Sequence, residues 1–189
     1  MQIKSELRKT LLSERKRISS DMCEYFGNEI LKRVISLDEV KKSDSILCFV
    51  SKELEVPTAE IFQFAFNAGK PIAAPVCIGE DMIFRYIDSF DDLEIGSFSV
   101  REPKEYCCEA AVTDRTVCIT PGLCYNMNGF RIGYGKGYYD RFFAKNKCVK
   151  IGVCFEEFIG DFAPDINDIA ADIIVTQCRV IRFTGRNET

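Results

Sequence analysis

This sequence predicts an α/β fold in which a mostly parallel sheet carries helices on both faces, a Rossmann-like three-layer sandwich. Three observations point there. Apolar, β-branched runs of strand length alternate with amphipathic stretches of helical period. A glycine-rich loop follows one such run and opens a helix, the order found where α/β proteins bind ligands. The 189 residues, 47% of them hydrophobic, suffice for one well-buried core, and nothing in the composition divides them, so residues 1–189 read as a single domain.

Ile3, Leu7 and Leu11 recur every four residues, with Ile18 a further seven on, which predicts an amphipathic first helix. Its other face carries Lys4, Arg8, Lys9, Arg15 and Lys16. Ser20-Asp21 offers an N-cap for a second helix whose Phe26, Ile30 and Val34 share one face. Residues 45–50 (SILCFV) form the first buried strand, and Pro57-Thr58 opens a helix that stops at Gly69, with Thr58 as its cap. Further strands follow at 71–76, 83–87, 116–120, 149–154 and 173–176. The stretch 80–115, with ten acidic and four basic residues, reads as a solvated excursion from this α/β order.

Charge and composition remove several function classes. With 25 basic and 29 acidic residues the net charge is −4, against a general nucleic-acid binder. No apolar run is long enough to span a membrane. The basic N-terminus is interrupted by Glu6 and Glu14 and leads into no apolar segment, so neither a transit nor a secretory peptide fits and a cytoplasmic location is expected. The ten cysteines include no Cys-x-x-Cys pair, and most lie in strand-like runs as small core residues of a reducing compartment. There is no histidine, which excludes Ser-His-Asp and Cys-His mechanisms. Carboxylates, Lys, Arg, Tyr, metal ions or the electrostatics of bound phosphate must then do the chemistry, a restriction that suits phosphoryl transfer.

The stretch from Arg131 to Asp140, RIGYGKGYYD, is the strongest local signal. Gly133, Gly135 and Gly137 let backbone amides approach an anion and accept positive φ, while Arg131 and Lys136 bring positive charge. The spacing is neither that of a Walker A box nor that of the dinucleotide fingerprint. A phosphate cradle is the functional reading, and a glycine-rich turn with solvated basic side chains is the competing one. Likewise Lys4 and Arg8, one helical turn apart, either reach one phosphate together or belong to a solvated face.

The longer segment PGLCYNMNGFRIGYGKGYYDR, residues 121–141, resembles the signature of the 5-formyltetrahydrofolate cyclo-ligase (methenyltetrahydrofolate synthetase) family. Three more segments agree in order: Lys4 to Arg8 with the family's Lys-x-x-x-Arg, Glu55 to Thr58 with its Glu-x-x-Thr turn, and Asp168 to Asp172 with its C-terminal acidic motif. Together they cover nearly the whole chain. Asn126 and Asn167 depart from the pattern, standing where members commonly carry aspartate and histidine.

The resemblance implies an ATP- and magnesium-dependent ligase acting on a small-molecule folate. ATP would meet Lys4, Ser5, Glu6, Leu7 and Arg8, and the loop residues Arg131, Ile132, Gly133, Tyr134, Gly135, Lys136, Gly137, Tyr138 and Tyr139. Arg131, Lys136 and Tyr138 would be catalytic, Val50 and Glu55 would hold the folate, and Asp140 and Asp168 would bind magnesium. A carboxylate suits a pterin, whose amide and amino donors it accepts in pairs. Of Tyr138 and Tyr139, one would pack under the sheet and one would face the ligands. A monomer or weak homodimer is expected. The rival classes are a nucleotide-binding module without turnover and a small-molecule kinase on a related fold.

Overall fold

The computed structural model describes residues 4–96 and 100–183. Ile3, placed on the first helix by its spacing, lies outside the described residues. Helices α1 (Lys4–Arg15), α2 (Ser20–Ser36) and the short α3 (Asp38–Lys42) precede strand β1 (Ser45–Cys48) and helix α4 (Ala59–Ala68). Then come β2 (Ile72–Ile78), β3 (Asp81–Ile87), the pair β4 (Leu93–Ile95) and β5 (Arg101–Pro103), and β6 (Thr116–Pro121). A second short pair, β7 (Cys124–Tyr125) and β8 (Arg131–Ile132), leads to α5 (Tyr138–Lys145), β9 (Val149–Val153), β10 (Ile173–Val175) and β11 (Val180–Arg182).

Seven strands form the main sheet in the order β11-β10-β9-β6-β1-β2-β3. The five inner strands run parallel, and β3 and β11 close the edges antiparallel. The chain leaves β1 toward β2 on one side and returns to β6 on the other. The carboxyl ends of β1 and β6 therefore flank a topological switch point, where a crevice is expected.

Strand alternation divides the core between two faces. Ile46 and Cys48 of β1, with Val117 and Ile119 of β6, join Leu11, Ile30, Val34, Ile61 and Phe62 from α1, α2 and α4. Leu47 and Cys118 point the other way and join Phe84, Phe142 and Phe143 under α5. Helices thus cover both faces, as the sequence predicts.

Local chemistry moves several boundaries. Arg17 and Ile18 donate to the Glu14 and Arg15 carbonyls at 3.0 and 3.1 Å, closing α1 in a turn, so Ile18 is not helical. Ser19 rather than Ser20 caps α2, its Oγ accepting from the Met22 amide at 3.3 Å. Thr58 stands at the start of α4 without capping it. Its hydroxyl donates to the Phe49 carbonyl at 2.8 Å and accepts from the Ser51 amide at 3.1 Å, clipping the loop after β1 to the strand end. The 80–115 stretch is only partly an excursion, since β3 belongs to the sheet and Phe84 is buried in it. Arg15, read as part of a solvated basic face, is 2% exposed.

The ten cysteines are all unbridged and six are buried, in keeping with small core residues. Among the described residues no helix is long and apolar enough to cross a membrane. Tyr125 is the largest fully buried side chain, and its hydroxyl pairs with Thr120 Oγ1 at 2.9 Å. The backbone of Gly152 lies directly against its ring, where a Cβ would come within 2.5 Å. Gly152→Ala should therefore destabilise the fold by about 1–3 kcal/mol through overpacking, read as a lowered urea midpoint. An unchanged midpoint would show that the ring has room to move.

Candidate active site

A cavity of about 1000 Å³ opens at the switch point. Phe49 and Val50 at the end of β1, Pro75 and Cys77 of β2, and Pro121 and Gly122 at the end of β6 form its floor, and the glycine loop and the start of α5 form a wall. Lys4, Arg8, Glu55, Arg131, Lys136, Asp140 and Asp168 all line it, so residues from four distant segments meet in one space. Ser5, Glu6, Leu7 and Ile132 do not. Ser5 and Glu6 face solvent on α1, Leu7 packs on the apolar cluster, and Ile132 is buried in the core.

Gly135 and Gly137 have φ of 89° and 69°, conformations that an L side chain rarely adopts. Gly133 has no such φ, and a Cβ there would meet nothing within 4 Å, so the expectation of positive φ fails at this glycine. Arg8 Nε donates to the Gly133 carbonyl at 2.9 Å, docking α1 on the loop. Lys136 is exposed at the cavity wall.

Arg131, expected to bring positive charge to ATP, lines the cavity with its terminal nitrogens already engaged. Its guanidinium is buried, donates to Asp140 Oδ1 at 2.7 Å and to the Ile169 carbonyl at 2.9 Å, and stacks 5.6 Å from the ring centres of Tyr139 and Phe143. The Ile169 amide also donates to Asp140 Oδ1, at 3.0 Å. No described residue donates to Oδ2 of Asp140. Asp168 accepts from the Asp165 amide at 2.8 Å and from the Lys4 ammonium, which also bonds Asp165 at 2.7 Å. Burial opposes the charge of Lys4, but these two carboxylates outweigh it and hold its pKa above the ordinary value.

Glu55, also on the cavity lining, is buried, 7% exposed. Desolvation pushes its pKa above the ordinary glutamate value, against hydrogen bonds from the Lys52 amide, at 2.8 Å, and the Tyr134 hydroxyl. Tyr134, expected beside ATP, thus sits with Glu55, and burial drives its own pKa up. Tyr138 donates to the Gly79 carbonyl at 3.0 Å and tethers α5 to the β2–β3 turn. Tyr139 is the residue that packs inward, against Phe84 and Phe143, and its hydroxyl is shut from solvent with no partner. Both tyrosines line the cavity.

Asn126 has a structural account. Its Oδ1 accepts from the Asn128 and Phe130 amides at 3.0 Å each, shaping the β7–β8 turn, and its Nδ2 donates to the Phe162 carbonyl at 3.0 Å. An aspartate would keep the first two bonds and lose the third. Asn167 is exposed on the cavity wall.

Lys52, Cys77, Glu102, Arg141 and Asp165 also line the cavity and were not singled out by sequence. Asp165 carries the one usable signal, an acidic residue three positions before Asp168, which is the spacing of a tight turn.

The chain matches the model of the 5-formyltetrahydrofolate cyclo-ligase family over residues 1–177. A probable 5-formyltetrahydrofolate cyclo-ligase of Schizosaccharomyces pombe is 28% identical over 95% of this chain and 97% of its own length. The 5-formyltetrahydrofolate cyclo-ligase of Saccharomyces cerevisiae is 27% identical, with 93% and 95% covered. The solution structure of the Aquifex aeolicus 5,10-methenyltetrahydrofolate synthetase superposes with a TM-score of 0.86 at 28% identity, covering 100% of this chain and 96% of that one. With a family match that spans all the cavity residues described, the chain belongs to the 5-formyltetrahydrofolate cyclo-ligase family.

Proposed function

We propose that the chain makes 5,10-methenyltetrahydrofolate from 5-formyltetrahydrofolate with ATP and magnesium, releasing ADP and phosphate. The observation that carries this reading is one cavity lined by two unlike sets of groups. One set is the glycine loop with Arg8, Lys136 and Lys4, suited to phosphate. The other is the buried Glu55, suited to the donors of a pterin.

The chemistry asks little else of the protein. A formamide is a poor electrophile because its nitrogen donates into the carbonyl. Transfer of the γ-phosphoryl group from ATP to the formyl oxygen releases ADP and leaves an N5-iminium phosphate. N10 then attacks the activated carbon, the carbon–oxygen bond breaks with departure of phosphate, and N10 loses its proton. Both nucleophiles belong to the substrate, so positioning and charge neutralisation suffice, in keeping with the absence of histidine.

The donor set fits magnesium. Among the described residues no group of three or more His, Cys, Asp or Glu is placed to hold a metal. Magnesium needs only one or two carboxylates when phosphate oxygens and water complete the shell. Asp140, through Oδ2, and Asp168 would hold the ion, which when bound neutralises phosphate charge. Lys4, now on Asp165 and Asp168, would exchange those carboxylates for a phosphate. Arg131 holds Asp140 in place from behind.

The purified protein should convert 5-formyltetrahydrofolate to the methenyl form, followed by the product's near-ultraviolet absorbance, only with both ATP and magnesium present. Equal conversion without ATP, or none under any condition, would sink the reading. Lys136→Ala should weaken ATP binding by about tenfold or more, since a charge-assisted phosphate contact contributes roughly 1.5–3 kcal/mol. Folate binding should hold, and an unaltered ATP affinity in calorimetry would demote the loop to a structural turn. Because burial raises the Glu55 pKa and only its carboxylate form accepts two pterin donors, folate affinity should fall as pH drops through that raised pKa. Glu55→Gln should weaken folate and flatten the pH dependence while sparing ATP, and a titration with the two ligands' effects exchanged would reverse the assignment of the two sets of groups.

A further inference from the structure

Residues 52–57 form a partition between two hollows. Lys52 and Glu55 face the main cavity, while Glu53, Leu54 and Pro57 face a second one of about 470 Å³ on the reverse side, whose walls include Arg15 and Cys23. Val56 and Pro57 anchor the partition's far end in the core and on Gly27 of α2, whereas Lys52, Glu53 and Leu54 border open space, and the proposed folate contact demands a fixed carboxylate beside them.

Arg15 ties the less packed part of the partition, at Leu54. It is 2% exposed at the end of α1, with its guanidinium 4.8 and 5.8 Å from the ring centres of Phe158 and Phe155. One terminal nitrogen donates to the Leu54 carbonyl at 2.7 Å, inside the partition. The other donates to the Gly122 and Leu123 carbonyls at 2.5 and 3.1 Å, at the corner between β6 and β7. Arg15 makes no ion pair among the described residues, and its Nε is buried without a partner. A buried guanidinium with no carboxylate is costly, and an apolar side chain would fill the same space without that penalty. The distinctive contribution of arginine here is the planar fork, which spans two segments far apart in sequence.

We propose that Arg15 is the positioning residue for Glu55: it straps the 52–57 partition to the β6–β7 corner and so fixes the carboxylate on the cavity lining. The proposal rests on the reading of Glu55 as the folate contact. Glu55 is surrounded by Lys52 of its own loop, Tyr134 and Tyr139 from the loop and helix opposite, Cys23 of α2, whose thiol donates to the Glu55 carbonyl, and Arg15 of α1. Burial raises the Glu55 pKa, and the Arg15 charge is one of several influences that oppose the rise. Strap and charge are separable by substitution.

Arg15→Met, Arg15→Lys, Glu55→Gln and the double variant Arg15→Met/Glu55→Gln would be titrated with 5-formyltetrahydrofolate and, separately, with ATP across pH, with circular dichroism to confirm the fold. Arg15→Met should weaken folate by about tenfold or more and leave ATP unchanged, as expected of a displaced contact. Its folate pH midpoint should move upward. Arg15→Lys should restore the midpoint, since it keeps the charge, but not the affinity, since it lacks the fork. The double variant should bind folate no more weakly than Glu55→Gln alone. Additive losses in the double variant, or equal losses of ATP and folate in Arg15→Lys, would overturn the proposal while leaving the Glu55 reading intact. Normal folate binding by Glu55→Gln would overturn that reading and the proposal with it. Should Arg15→Met fail to fold, faster amide exchange of residues 52–57 in Arg15→Lys supports the strap, and unchanged exchange overturns it.

Discussion

The pair between Arg131 and Asp140, 2.7 Å apart and largely shut from water, is the contact on which the cavity depends. It joins the two ends of the glycine loop, whose interior is made of residues that lose most entropy on ordering. Stapling the ends leaves only the middle to be fixed, and Arg8 does that through the Gly133 carbonyl. The same pair reaches a third segment, because Asp140 and Arg131 bond the Ile169 amide and carbonyl. Removing either partner would strand the other's charge, a loss of about 3–5 kcal/mol for a buried pair. Here the geometry ties that loss to the shape of the glycine loop.

The two sets of charged groups on the cavity lining differ electrostatically. Around the glycine loop, cations and carboxylates are already matched, Lys4 against Asp165 and Asp168, Arg131 against Asp140. In the proposed reading, phosphate would replace the carboxylates on Lys4 while a divalent ion takes up the freed carboxylates, so partners are exchanged and none is left stranded. At Glu55 a single carboxylate is desolvated and held by a backbone amide and a tyrosine hydroxyl. Tyr134 belongs to the glycine loop yet bonds Glu55, so ordering of the loop and placement of the Glu55 carboxylate are mechanically joined.

Much of this was legible in the sequence because its signals are short-range. The glycine spacing located the loop, β-branched runs located the parallel strands, and Gly69 ended α4 in the left-handed conformation. What escaped depends on partners far along the chain. A helical wheel puts Arg15 with Lys4 and Arg8, and only the approach of the 52–57 loop and the β6–β7 corner buries it. Arg131 reads as a phosphate ligand until Asp140 and Ile169 claim its donors. Thr58 reads as a cap until the Phe49 carbonyl takes its hydroxyl. The antiparallel β3 was recoverable, since a two-residue Gly79-Glu80 turn with positive φ at Gly79 joins it to β2. Family membership identified which segments converge, but side-chain partners within the cavity had to come from geometry.

A chain without histidine also has few groups that titrate near neutrality. Burial lifts the hydroxyls of Tyr134 and Tyr139 away from neutral pH, and Cys77, the thiol on the cavity wall, is likewise raised. Glu55 moves the other way relative to neutrality, because burial raises a carboxyl toward it. The proposed chemistry needs no protein base, since N10 can lose its proton to departing phosphate or water. What the proposed chemistry asks of the protein is a carboxylate of fixed position and charge near a fixed cradle. Both are held by arginines whose terminal nitrogens donate to the protein itself, Arg131 to Asp140 and Arg15 to the Leu54 carbonyl. In this molecule the buried guanidinium is a building element, and in the proposed reading the more exposed cations Lys4 and Lys136 are the ones that meet phosphate.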